Sequence, residues 1–183
     1  MTAVVALLRA VNVGGRTVRS AELKAVASSL GHTDVVTYVN SGNLVLVPGD
    51  AAASPEDVAA GLSAAFEDRY GFAVPVVVRT AAEWELVVRA LPFRAEAESD
   101  PSHLVVYCWD GVPDVASLRT FDASVYGNET VIWHGREAYA YYPDGIGSSK
   151  LTLPVMSKAA GRVGTARNWR TVLALQKLVA ERS

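Results

Sequence analysis

Asp34-Val35-Val36-Thr37-Tyr38-Val39-Asn40-Ser41-Gly42-Asn43-Leu44-Val45-Leu46-Val47 reads as two β-rich runs, 34–40 and 43–47, parted by Ser41-Gly42. That spacing predicts a tight hairpin. Upstream, the residues from Ala3 to Val11 form a continuous apolar run, as expected of a strand covered on both faces. Asn12-Val13-Gly14-Gly15-Arg16 breaks that run. Behind the candidate cap Ser20, Leu23, Val26, Ala27 and Leu30 recur at i, i+3, i+4 and i+7, predicting a helix that stops at Gly31. Downstream, Ser54-Pro55-Glu56-Asp57 opens a helix with proline in the first turn and acids against the positive dipole end. It runs to about Tyr70 and is closed by Gly71, and the residues from Ala73 to Val78 supply another strand. The order βαββαβ is that of a ferredoxin-like sandwich, with helices on one face of an antiparallel sheet.

A second pass follows an interruption. Residues 81–91 predict a helix, and 92–102, with Glu96, Glu98, Asp100 and Pro101, have linker composition. The pattern then partly repeats as a strand at 103–109, a short helix near 113–120, and strands near 130–134 and 138–142 around Gly135-Arg136. The last strand of this copy is not visible. Residues 148–158 and 165–181 read instead as helical, with Pro154 interrupting the first. The expectation is an α+β protein of two tandem ferredoxin-like halves. Residues 1–80 form the first, 81–102 a helix and acidic linker, and 103–183 the second with a C-terminal helix.

Half of the 183 residues are hydrophobic, 20% are charged and the net charge is −2, which excludes disordered, polycationic and low-complexity classes. The single cysteine, Cys108, cannot form an internal disulfide and lies in the apolar run Leu104-Val105-Val106-Tyr107-Cys108-Trp109, pointing to a reducing compartment. The apolar N-terminal stretch lacks a basic region and is cut by Arg9, and no run reaches the roughly 18 apolar residues of a membrane span. A cytoplasmic protein with no membrane partner is expected. Basic residues gather late, with 10 Lys and Arg against 18 Asp and Glu in residues 1–147, and 7 against 1 in residues 148–183.

Familiar catalytic signatures fail in turn. Val13-Gly14-Gly15-Arg16 fits neither G-x-G-x-x-G nor G-x-x-x-x-G-K-[ST], so no nucleotide cofactor is indicated. His32, His103 and His134 have no metal-ligand spacing, and one cysteine leaves zinc without ligands. No serine sits in G-x-S-x-G. Arg9, inside an apolar strand, either hydrogen-bonds the loop at Asn12 or faces a ligand held by the glycines. Asn40-Ser41-Gly42-Asn43 serves turn geometry or forms a polar binding loop. In Thr165-Ala166-Arg167-Asn168-Trp169-Arg170-Thr171, Thr165 can cap a helix with Trp169, Val172, Leu173, Gln176 and Val179 on one arc and Arg167, Arg170 and Lys177 opposite. Arg167 and Arg170 in its first turns oppose the macrodipole, so an acidic partner within the fold or an external anion should offset them.

Four stretches together resemble the bacterial family catalogued as domain of unknown function 1697. They are Leu7-Leu8-Arg9-Ala10-Val11-Asn12-Val13-Gly14-Gly15, Thr37-Tyr38-Val39-Asn40-Ser41-Gly42-Asn43, Asp144-Gly145-Ile146-Gly147-Ser148-Ser149-Lys150-Leu151, and the Thr165–Thr171 segment. The resemblance implies an α+β fold of two related ferredoxin-like halves, and no activity, substrate or catalytic residue.

The leading reading is a binding module for an anionic, phosphate- or nucleotide-like ligand. Its candidates are Arg9, Asn12, Gly14, Gly15, Ser41, Asn43, Lys150, Arg167, Asn168 and Arg170. No metal or cofactor is expected. A nucleic-acid phosphate is a further candidate partner, although a net charge of −2 argues against a broad non-specific footprint. Two alternatives stay open. One is an enzyme without a recognisable signature, using Ser148 or Ser149 beside Lys150. The other is a structural protein that pairs through sheet edges into a homodimer.

Overall fold

The computed structural model describes residues 2–9, 11, 17–39 and 42–183. The chain divides into two compact units, residues 1–86 with 174–183, and residues 87–173.

The first unit runs β1 (Val4–Leu8), α1 (Ser20–Ser29), β2 (Thr33–Thr37), β3 (Asn43–Val47), α2 (Pro55–Tyr70) and β4 (Val76–Thr80). Its antiparallel sheet has the order β2-β3-β1-β4, the ferredoxin-like order. Ala6, Leu8, Leu44, Leu46 and Val78 alternate onto the face that packs with Leu23, Ala27, Val58, Leu62 and Phe66. Val5, Leu7, Val45 and Val77, on the opposite face, are buried too, which accounts for the uninterrupted apolar reading of β1.

Element ends depart from the sequence reading where backbone partners run out. β1 stops at Leu8 rather than Val11, because its ladder reaches only Asn43 on one side and Val76 on the other. β4 begins at Val76 rather than Ala73, since Pro75 has no N–H to give to the sheet. β2 ends at Thr37, so its connection to β3 is longer than a two-residue turn. Gly42 adopts φ +71, and a Cβ there would lie 2.9 Å from Cβ of Leu8. Arg19 rather than Ser20 caps α1, its N–H donating to Glu22 Oε2 at 3.1 Å. α2 matches its reading: Ser54 Oγ accepts from Asp57 N at 3.1 Å, Asp57 Oδ2 accepts from Ser54 N at 3.0 Å, and Gly71 closes the helix.

Helix α3 (Ala81–Arg89) starts at a second such box, with Thr80 N donating to Glu83 Oε2 at 2.8 Å. The segment read as a linker is ordered as α4 (Arg94–Ser99) and a 3-10 turn at Pro101–His103, anchored by the buried Phe93 whose carbonyl accepts from Ala97. The second unit continues with β5 (Leu104–Trp109), α5 (Val115–Leu118), β6 (Thr130–His134), β7 (Glu137–Tyr141), α6 (Leu153–Ala160) and β8 (Gly164–Asn168), leading into α7 (Trp169–Ala180). Its sheet order, β6-β7-β5-β8, repeats the first. The α+β expectation therefore holds, with the order βαββαβ around each of the two sheets.

The missing strand of the second copy is β8, hidden in the segment read as a helix start. Thr165 pairs with Cys108 and Arg167 with Val106. α7 then begins at Trp169 and is capped by Asn168, whose Oδ1 accepts from Arg170 N at 3.0 Å. α6 likewise begins later than residue 148, with Pro154 in its first turn where a missing N–H costs nothing. Among the described residues, no helix is long and apolar enough to cross a membrane.

The two helical layers differ in size. α1 has 10 residues where α5, its counterpart, has 4. Aromatic rings fill part of the deficit, with Trp109 stacked on Tyr107 and Trp133, and Phe121 edge-on to Trp133 at 5.6 Å.

Candidate functional site

Of the sequence candidates, Asn12, Gly14, Gly15 and Ser41 lie outside the described residues. Arg9 and Asn43 belong to the first unit, and Lys150, Arg167, Asn168 and Arg170 to the second. Arg9 is half-buried just after β1, with its N–H on Pro75 O at 2.9 Å. Asn43 is buried and donates from Nδ2 to Tyr38 O at 2.9 Å, so it holds the β2–β3 connection.

Arg167 and Arg170 are not a pair at a helix start. Arg167 lies in β8, buried, and its Nη1 donates to Thr165 Oγ1 at 2.7 Å and to Ala166 O at 2.8 Å. Burial pulls its guanidinium down to about 10, with Cys108 working the other way. Arg170 is exposed. The dipole conflict that called for an anion therefore does not arise at Arg167, and this pair gives no support to anion binding. The Ser–Lys idea fails on geometry as well. Ser149 Oγ donates to Glu129 Oε1 and accepts from Leu151 N, Ser148 Oγ donates to the Asp144 and Gly145 carbonyls, and Lys150 extends into solvent.

Two of the four stretches that carry the resemblance come up to the 102–104 segment, around a residue that the sequence reading set aside. Asp100 Oδ2 accepts from His103 Nδ1 at 2.7 Å and from the Tyr141 hydroxyl at 3.2 Å, while its Oδ1 accepts from Ser102 Oγ at 3.0 Å. Burial opposes the charge of Asp100, but these three donors hold its carboxyl below the usual range. Asn168 Nδ2 donates to Ser102 O at 2.7 Å and to Leu104 O at 3.3 Å, fixing the backbone that carries His103. On its other edge, Nε2 of His103 looks onto Gly145. Nothing in the local sequence announces this, because Asp100 precedes β5, Tyr141 ends β7, Gly145 follows β7 and Asn168 ends β8.

Behind this cluster, Tyr142 donates to Leu151 O at 3.1 Å, so the hydroxyl of Tyr107, 2.5 Å away, must be the donor to Tyr142. Burial raises both phenols above their ordinary value, Tyr142 the more strongly.

The short α5 leaves a cleft of about 470 Å³ in the helical layer of the second unit, lined by Ser117, Thr120, Phe121, Tyr126, Val155 and Lys158. Phe121 and Tyr126 are stacked with centroids 6.3 Å apart. Ser117 Oγ spends its hydrogen on Asp114 Oδ2 at 2.6 Å and Thr120 Oγ1 on Ser117 O at 3.0 Å, so both retain acceptor lone pairs. Hydrogen bonds from Ser117 and the N–H groups of Ala116 and Ser117 keep Asp114 below the ordinary carboxylate range. Lys158 has no carboxylate partner among the described residues. The sequence offered only Pro113–Thr120 as a short helix here; its shortness was the signal.

The chain is similar in fold to the conserved bacterial protein SP0830 from Streptococcus pneumoniae, with a TM-score of 0.76 and 21% identity over 98% of this chain and 99% of that one. No curated protein matches the sequence. The first two stretches that carry the resemblance fall inside the region matched by a family model, residues 1–139, and the last two beyond it. With that match over three quarters of its length, the chain belongs to the family described as "Protein of unknown function (DUF1697)".

Proposed function

We propose that the protein is a binding module for a small molecule that joins a planar ring to an anionic group, held in the cleft of the second unit. The observation that carries this reading is the combination of two stacked rings, two hydroxyl acceptors and one lysine around about 470 Å³, in the size range of small-molecule sites. Phe121 and Tyr126 offer apolar ring surface, Ser117 and Thr120 accept from ring N–H or hydroxyl donors, and Lys158 meets the charge. This keeps the class of ligand expected from the sequence but moves it away from Arg167 and Arg170.

Calorimetric titration with a nucleoside monophosphate, the matching nucleoside and inorganic phosphate tests the reading. Binding should require both ring and charge, should weaken with salt, and should be lost in Lys158→Glu and in Phe121→Ala. Equal binding of the monophosphate by wild type and both variants would place any site elsewhere, and absence of binding by planar anions generally would refute the reading.

A further inference from the structure

We infer that Asp100 and His103 form a general-base site, separate from the cleft lining, that activates water against small carboxylic esters. The inference rests on how the ring is held. An ionised carboxylate only accepts hydrogen bonds, so in the neutral ring the Asp100 contact at 2.7 Å places the imidazole hydrogen on Nδ1 and the lone pair on Nε2. Three donors occupy Asp100 and Asn168 fixes the 102–104 backbone, so the pair is supported on an ordered sheet end rather than on a lone loop side chain.

The Nε2 edge faces Gly145. Gly145 has φ +84, which glycine tolerates, and a Cβ at that position would come into ordinary contact with Nε2 at 3.6 Å. The missing side chain leaves that much more room beside the ring. His103 retains 37% exposure of its side chain, enough for a solvent molecule to reach it. The other histidines are arranged differently. His32 Nδ1 accepts from Gly49 N at 3.2 Å, which puts its hydrogen on Nε2, and His134 is exposed at the end of β6 with no carboxylate bonded to it among the described residues.

In the step assigned to this site, a water on Nε2 attacks the ester carbonyl carbon as its proton passes to Nε2. The Asp100 carboxylate stabilises the imidazolium through Nδ1–H. The tetrahedral adduct collapses by breaking the bond to the alkoxy oxygen, which leaves with the electron pair and takes the proton from Nε2. Acid and alcohol result, and the imidazole returns to its starting state. A single imidazole base suits esters whose leaving group departs readily, rather than amides.

Two measurements on the full chain test this. In long-range nitrogen–proton correlation spectra, neutral His103 should be the Nδ1–H tautomer in the wild type and lose that preference in Asp100→Asn. With 4-nitrophenyl acetate, the protein-dependent rate should fall about a hundredfold in His103→Gln, the scale of general-base catalysis, and fall in Asp100→Asn, but persist in His134→Gln. A merely structural Asp–His contact would give the tautomer without the ester rate, which would also overturn the inference. A wild-type Nε2–H tautomer, or an ester rate unchanged by both His103→Gln and Asp100→Asn, would overturn the inference.

Discussion

Arg167 donates from Nη1 to Oγ1 of Thr165 at 2.7 Å, two residues back along the same strand and on the same face. A buried guanidinium held in this way belongs to the fold. Arg167→Ala should therefore lower stability by about 1–3 kcal/mol, the scale for leaving buried hydrogen-bonding groups without a charged partner. Arg170→Gln, on the exposed side of α7, should stay within about 0.5 kcal/mol of wild type. Urea melts of the two single variants check this, and equal effects would remove the distinction.

Trp169 opens α7 and is only 5% exposed. Trp169→Ala should cost about 3–5 kcal/mol, the range for truncating a buried aromatic. An unchanged melting temperature would show that the ring is not packed as described.

The Tyr107–Tyr142–Leu151 chain has a direction, and the direction sets unequal costs. Tyr107→Phe removes one donor. Tyr142→Phe leaves both the Tyr107 hydroxyl and the Leu151 carbonyl without this partner, so it should cost more, about 1–3 kcal/mol against about 1 kcal/mol. Denaturant titration of the two variants gives the order, and the reverse order would contradict the assigned donors.

How much of this was legible in the sequence depended on whether the signal was local. The ends of α2 were readable because Ser54, Asp57 and Gly71 act on their own neighbours. β8 was not, because Thr165-Ala166-Arg167-Asn168 has no strong strand propensity and becomes a strand through its register with Val105–Trp109, some sixty residues away. Arg167 was misplaced with it, read as a surface charge on a helix when it is a buried one on a strand. His103 was overlooked for a related reason, since its carboxylate lies in what composition made a linker. The resemblance pointed toward Asp144–Leu151 and Thr165–Thr171, but their approach to the 102–104 segment is a property of the tertiary structure alone.

Acid should destabilise the protein through several aspartates at once. Hydrogen bonds from Ser54 hold Asp57 below its ordinary value, and similar bonds do so for Asp114 and Asp122. A carboxyl with a depressed folded-state value contributes stability above the unfolded value, about 3.9, and that contribution disappears as pH falls through the folded value. Stability measured by urea melts should thus fall from pH 5 to pH 2. Ser54→Ala, which removes the side-chain donor to Asp57, should lower stability by about 1 kcal/mol at pH 6 and show a shallower acid loss. A parallel pH profile in the variant would detach Asp57 from this effect.

The cleft between α5 and α6 is the feature from which the proposed function follows, and residue-level mapping tests it most directly. Proton–nitrogen and aromatic spectra of the full chain should be recorded during titration with a nucleoside monophosphate and, separately, with inorganic phosphate. The account predicts saturable shifts at Phe121, Tyr126 and Lys158 with the monophosphate, much weaker shifts there with phosphate alone, and little change at Arg167 or Arg170. Saturable shifts centred on Arg170 and the start of α7, with the cleft residues unmoved, would contradict it.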